Sequence, residues 1–140
     1  MPLLANDTDG AVTRKRIEAF AAKEEKVTVV AATDAATVQV AATLAAAAEV
    51  VYTMTPTTGR TLTTPTGAEL GAAFTDEAVG SSFRFTVVNG AAATHAITLT
   101  AGASGVTLGG VAGMATIAAA TSASFVGVFT AANTVTIYRK

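Results

Sequence analysis

Residues 80 to 89 read Gly-Ser-Ser-Phe-Arg-Phe-Thr-Val-Val-Asn, and their alternation decides the class of fold. Phe83, Phe85 and Val87 alternate with polar residues, the period of two expected of a strand with one buried and one solvated face. The Asn89-Gly90 pair that follows predicts a turn, because both residue types tolerate positive φ. We therefore expect a β-strand whose core face carries the two phenylalanines.

Short alternating segments recur on both sides of this strand. They are predicted as strands at 27–30, 37–40, 50–55 and 60–64 upstream, and at 96–100, 105–109, 115–118, 122–130 and 134–139 downstream. Strands spaced by roughly ten residues and punctuated by glycine are typical of an antiparallel sandwich or barrel. The absence of a strict internal repeat disfavours a propeller or a solenoid.

One short helix is predicted near residues 66–74, between two of these strands. Thr66 and Glu69 have the spacing of a capping box, and Leu70 and Phe74 supply an apolar side that can lie on a sheet. The alanine-rich run at 44–50 is ambiguous, because alanine favours helix while the flanking Val and Thr favour strand. We interpret it as part of an early β segment. The predicted fold class is therefore all-β, an antiparallel β-sandwich or jelly-roll-like domain.

The composition suggests a subunit that works in contact with neighbours. Hydrophobic residues make up 51% of the chain and the mean hydropathy is +0.50, but alanine supplies much of this and only 14% of residues are charged. A monomer with so few charges risks exposing apolar surface, so we expect an oligomer or a surface-docked subunit. The net charge of -1 gives no indication of nucleic-acid or anionic-membrane binding.

No membrane span or secretory signal is expected. The nearest candidate span, 35–51, contains Gln39 and Glu49 and consists mainly of Ala and Thr, whereas a spanning helix needs about 20 strongly apolar residues. No basic segment followed by an apolar run opens the sequence, so a secretory signal is not predicted.

The chain divides into an N-terminal arm, residues 1–26, and a single β-domain, residues 27–140. The arm holds more than half of the charged residues and could form a short helix or an extended segment. Its basic cluster Arg14, Lys15 and Arg16 is most simply a solvated group, with contact to a partner as the alternative.

Nothing in the sequence indicates an enzyme or a metal site. There is no cysteine, and His95 is the only histidine, so neither a thiolate site nor a two-histidine site exists within one chain. The serines have no nucleophile-elbow pattern, and Asp76 and Glu77 are adjacent residues whose side chains point apart on a helix or strand. We expect no catalytic residue, no metal and no cofactor.

The β-rich segments resemble a known family. They are 61–66, Glu69-Leu70, 79–89, 97–102, 105–108 and 135–139. Together they resemble a module common in tailed-bacteriophage virion proteins, in particular the small cement, or decoration, proteins that sit on capsids as trimers. The resemblance implies a jelly-roll-like sandwich that clasps major capsid protein subunits on the outer surface of the capsid, with an N-terminal segment reaching across the shell.

On this interpretation the chain is a homotrimeric structural protein of the virion. The candidate contact residues are Arg14, Lys15, Arg16 and Phe20 in the arm, and Arg84 in the domain. The alternative is a tail-fibre or receptor-binding tip module that recognises host glycans. A virion-associated glycosidase is disfavoured, because no pair of carboxylates stands in a recognisable catalytic setting.

Overall fold

The computed structural model describes residues 25–75 and 78–140, and these fold into ten strands and two short helices. In chain order the elements are β1 (Val27–Ala31), β2 (Thr37–Val38), α1 (Ala41–Ala45), β3 (Glu49–Met54), β4 (Arg60–Thr63), α2 (Gly67–Ala73), β5 (Ser82–Asn89), β6 (Ile97–Thr100), β7 (Val106–Gly109), β8 (Thr116–Ile117), β9 (Ser122–Ala131) and β10 (Thr134–Arg139). The prediction of a β-rich chain is confirmed.

The strands form two mixed sheets. The six-stranded sheet has the order β1-β3-β5-β9-β10-β7, and the four-stranded sheet has the order β2-β4-β6-β8. Five of the eight strand pairs are parallel, and only β5–β9, β9–β10 and β6–β8 are antiparallel. The expectation of a purely antiparallel arrangement is therefore wrong.

The parallel pairs arise from the way the first six strands are connected. The chain passes from one sheet to the other at every step, so β1, β3 and β5 become neighbours in one sheet while β2, β4 and β6 become neighbours in the other. Each time the chain returns to a sheet it runs in the same direction as before, so the neighbouring strands are parallel. This winding is coil-like, as in a solenoid, although the sequence has no strict repeat.

A single hydrophobic cluster joins the two sheets. Phe83, Phe85 and Val87 belong to it and are 4%, 0% and 1% exposed, which confirms the predicted core face of β5. The four-stranded sheet contributes Leu62, Ile97, Leu99 and Ile117 to the same cluster. Phe85 stacks on Phe125 of the neighbouring β9, with ring centroids 5.1 Å apart.

Both helices lie in the connections between sheets. Helix α2 begins with the predicted capping box: the Glu69 N–H donates to Thr66 Oγ1, and the Glu69 carboxylate accepts from the Thr66 N–H at 2.8 Å. These bonds hold the pKa of Glu69 below its ordinary value. The alanine-rich run contributes Leu44 and Ala45 to α1, where our strand interpretation is wrong; strand begins only at Glu49.

The end of β5 differs from the predicted turn. Neither Asn89 nor Gly90 has positive φ, and the left-handed residue of the following loop is Thr94. Asn89 is instead 1% exposed, and its side-chain amide donates to the carbonyls of His95 and Ile117 at 2.8 and 3.0 Å. A buried side chain therefore ties the end of β5 to the four-stranded sheet.

Candidate interaction surfaces

The solvent side of the six-stranded sheet is a broad surface with few charges. We call it the outer face and define it by the residues that alternate with the core positions: Val27, Val29, Ala31, Glu49, Val51, Thr53, Ser82, Arg84, Thr86, Val88, Thr107, Ser122, Ser124, Val126, Val128, Thr134, Thr136 and Tyr138. Its only charged members are Glu49 and Arg84. Valine, threonine and serine dominate the rest, which suits close contact with another surface.

Arg84 lies near the middle of the outer face. Its neighbour on β9 is Val126, and the register of β3 with β5 places Glu49 level with it on the other side. Arg84 is exposed and forms no ion pair within the described residues, where the one pair within 4.0 Å is Arg60–Asp34. The guanidinium therefore remains available to a partner.

A chain of hydrogen bonds crosses the outer face beside Arg84. Thr86 donates from Oγ1 to Glu49 Oε1 at 2.6 Å, and the Thr86 and Ser124 hydroxyls are 2.8 Å apart. These bonds link β3, β5 and β9 through side chains as well as through the backbone. The centre of the outer face is therefore held in one arrangement, which reduces the ordering that a contact would require.

One edge strand of each sheet exposes valines. β1 is an edge of the six-stranded sheet, and its Val27 and Val29 are 58% and 66% exposed. β2 is an edge of the four-stranded sheet, where Val38 and the following Val40 are also exposed. Exposed apolar side chains grouped on one strand are typical of interaction sites.

A recess of about 430 Å³ lies at the opposite edge, between the loop after β7 and the end of β10. Its lining includes the glycine-rich segment 109–113 together with Tyr138, Arg139 and Lys140. The Tyr138 ring covers Gly109, where a Cβ would lie 2.7 Å from the ring carbon Cε1. Arg139 Nη1 donates to the carbonyl of Thr116 at 2.8 Å, which fixes the guanidinium at this recess.

A second concavity, of about 550 Å³, lies between the β2–α1 segment and α2. Gln39 contributes to its lining and is 3% exposed, and its side-chain amide has no hydrogen-bond partner among the described residues. Tyr52 lies buried in the core close to the Val40 backbone, and burial raises the pKa of its hydroxyl to about 12. Small apolar residues supply most of the remaining lining.

The predicted contact residues are only partly within the described structure. Arg14, Lys15, Arg16 and Phe20 lie outside it, as do Asp76 and Glu77, whereas Arg84 lies within it. His95 lies half-buried in the loop before β6. Over 25–75 and 78–140, no group of three His, Asp or Glu residues is arranged to hold a metal ion.

The sequence interpretation missed the exposed valines of β1 and the recess beside Tyr138. The segment Val27-Thr28-Val29-Val30 was recognisable as strand, but nothing in it says that the strand lies at an edge. The sequence predicts that Tyr138 lies in a strand, and only the pairing of β10 with β7 reveals the glycine beneath its ring. The sequence feature that points to this recess is the run Gly109-Gly110, which indicates a turn.

Comparisons with known proteins found no match: no family model, no curated protein and no solved structure is similar to this chain. Within the described residues, no helix is long and apolar enough to cross a membrane.

Proposed function

We propose that the chain is a structural protein of a tailed-bacteriophage virion, a cement subunit that binds major capsid proteins on the outer capsid surface as a homotrimer. The observation that carries this proposal is the outer face of the six-stranded sheet. It is broad, nearly uncharged, and internally fixed by the Glu49–Thr86–Ser124 hydrogen bonds. A cement protein needs such a contact surface rather than a reactive site.

The size of the outer face is compatible with a protein contact. Six strands about 4.8 Å apart and about 20 Å long cover on the order of 500 Å². A standard interface buries about 800 Å² on each partner, so the outer face supplies a large part of one such contact. Many copies on one shell would then each add a modest contribution to the stability of the capsid.

The two sheets that share one core support a sandwich-like body, which is the architecture implied by the cement resemblance. The parallel pairs of the first six strands depart from a jelly roll. In this proposal the β-domain forms the trimer body and presents Arg84. The arm residues Arg14, Lys15, Arg16 and Phe20 contact the shell.

The proposal is tested by adding the purified chain to capsids of the phage that carries it. Cosedimentation and a cryo-EM density map report binding, copy number and position. We expect hundreds of copies on the shell, and deletion of residues 1–26 should abolish binding while trimers persist in solution. Binding that survives the deletion would remove the arm from the contact, and density on the tail alone would overturn the cement function.

Arg84→Ala tests the outer face separately, with Val79→Ala as the control because Val79 is exposed but lies outside the strands, in the segment before β5. Loss of trimers or of capsid binding in Arg84→Ala alone would place Arg84 in a contact. Unchanged assembly would mean that Arg84 is only solvated.

A second candidate function is a tail-tip module that binds host glycans, and the recess beside Tyr138 favours it. An aromatic ring 44% exposed next to Arg139 and Lys140 offers a stacking surface with hydrogen-bond donors, as sugar sites do. Copy number separates the two functions, since a tail tip is present in tens of copies or fewer. Glycan binding that is lost in Tyr138→Ala would support this alternative.

A further inference from the structure

The backbone of β1 directs hydrogen-bonding groups toward solvent at defined positions. The Lys26 carbonyl accepts from the Ala48 N–H at 2.9 Å, and the Ala32 N–H donates to the Thr53 carbonyl at 2.8 Å. The backbone N–H and C=O groups of the even-numbered residues in this segment therefore point toward β3. Because backbone groups alternate sides along a strand, the N–H and C=O groups of Val27, Val29 and Ala31 point away from β3, to the side where no other described strand lies.

This edge lacks the features that usually prevent strand pairing. β1 reads Val-Thr-Val-Val-Ala and contains no charge, proline or glycine. By contrast, β2 and β8 are edges of only two residues each, and β7 ends at Gly109. Native proteins protect an exposed edge by shortening it or placing charges on it, so an unprotected β1 indicates an edge that is used.

We propose that β1 pairs antiparallel with β1 of a second copy, about a twofold axis at Val29. In this register Val27 lies opposite Ala31 of the partner subunit, and Val29 lies opposite Val29 of the partner subunit. All three residues present both backbone groups to the edge, so each facing pair exchanges two hydrogen bonds. The six-stranded sheets of the two copies then form one continuous sheet.

The same register favours a second copy over other occupants, because it places uncharged residues of β1 opposite uncharged residues of the same strand. The exposed side chains of Val27, Val29 and Ala31 lie on the outer face in both copies and form one apolar strip.

The pairing is expected to be weak and to depend on protein concentration. A single strand pair and its side chains bury less than the roughly 1,200 Å² of a standard interface, which places it among transient contacts. The inference does not depend on the capsid function, because it rests on the backbone groups at the edge of β1.

The test measures molar mass by sedimentation equilibrium from about 1 μM to about 1 mM, the range in which weak association is observed. Val29→Lys adds an edge charge at a residue already 66% exposed, and Val79→Lys is the control, with the same charge change at a loop residue 76% exposed. We expect the wild type and the control to reach twice the mass of Val29→Lys at high concentration. Circular dichroism and thermal unfolding establish that all three fold alike.

Amide hydrogen exchange of the wild type provides the second measurement. Thr28 and Val30 face β3 and should be protected at every concentration, whereas protection at Val27, Val29 and Ala31 should rise at least tenfold as the mass doubles. Equal masses for all three proteins would overturn the proposal. Concentration-independent protection of the odd-numbered residues would overturn it as well, because it would mean that residues 1–24 of the same chain occupy the edge.

Discussion

Phe83 occupies the space that a side chain at position 127 would need. A Cβ on Gly127 would lie 2.3 Å from Phe83 Cζ, and Phe83 in turn contacts the rings of Phe74 and Phe129. Gly127 therefore allows the aromatic cluster to reach across from β5 to β9. The glycine is required by packing here, since its φ is not positive.

We predict that Gly127→Ala lowers the free energy of unfolding by about 1–3 kcal/mol, the usual cost of overpacking a core. Urea denaturation measures the loss. Gly59→Ala is the matched control, because the nearest atom to its Cβ would be the Ala96 carbonyl oxygen at 3.9 Å. The control should be neutral or up to about 1 kcal/mol more stable. Equal stability of the two variants would contradict the packing explanation.

Asp34 is the residue that should give the fold its acid sensitivity. Its carboxylate accepts from Arg60 Nε at 2.6 Å and from the Thr57 hydroxyl, and these hydrogen bonds hold the pKa of Asp34 far below its usual range. A depressed pKa stabilises the fold above the ordinary aspartate value of about 3.9, and this stabilisation is lost as the pH falls below that value.

We therefore predict that Asp34→Asn lowers the melting temperature near pH 7 and that the difference from the wild type shrinks between about pH 4 and pH 2. Calorimetric melting at a series of pH values measures it. Melting curves that stay separated by the same interval down to pH 2 would show that the carboxylate charge contributes nothing.

At the scale of single elements, α2 depends on its first turn. The helix has only seven residues, and its N-terminus is closed by reciprocal bonds between Thr66 and Glu69. A helix this short has little stability of its own, so the capping bonds and the buried Leu70 must hold it in place.

We predict that Thr66→Ala destabilises the fold by about 1 kcal/mol, because the Glu69 N–H loses its acceptor. Thr66→Ser keeps the hydroxyl and should retain most of the stability. Chemical denaturation compares the three proteins. A serine variant as unstable as the alanine variant would assign the effect to the threonine methyl group instead.

The elements also show which features of the fold can be predicted from the sequence. Alternation located β5 and its core residues because a residue's face depends only on its own strand. The partner of a strand depends on the path of the chain between strands. The alternation of apolar and polar residues does not show that β2 belongs to a different sheet from β1 and β3. For the same reason the exposed edge at Val27 and Val29 was not predictable, whereas the capping box, a local pattern, was.

At the scale of the whole molecule, the two sheets cannot be stable independently. Phe85 and Leu62 belong to different sheets and to the same hydrophobic cluster. The coil-like winding of the first six strands reinforces this, because the connections among β1, β3 and β5 pass through strands of the other sheet.

We predict a single cooperative unfolding transition. Circular dichroism reports the strands, and tyrosine fluorescence reports the buried Tyr52 together with the partly exposed Tyr138. The two probes should give coincident curves, with equal van't Hoff and calorimetric enthalpies. Separate midpoints for the two probes would contradict the shared core.

The side-chain anchor at the end of β5 has a consequence for the chemical lifetime of the protein. Asn followed by Gly is the dipeptide in which the asparagine amide is lost most readily, when the glycine nitrogen attacks the side-chain carbonyl and closes a succinimide ring. In the fold the Asn89 amide is bonded to two carbonyls, and the Gly90 N–H donates to the Met54 carbonyl at 2.8 Å. The nucleophile and its target are thus both held, so deamidation should proceed mainly in unfolded chains. Conversion of Asn89 to aspartate would place a carboxylate against those carbonyls. A chain that is deamidated before it folds would keep this covalent change in the folded state.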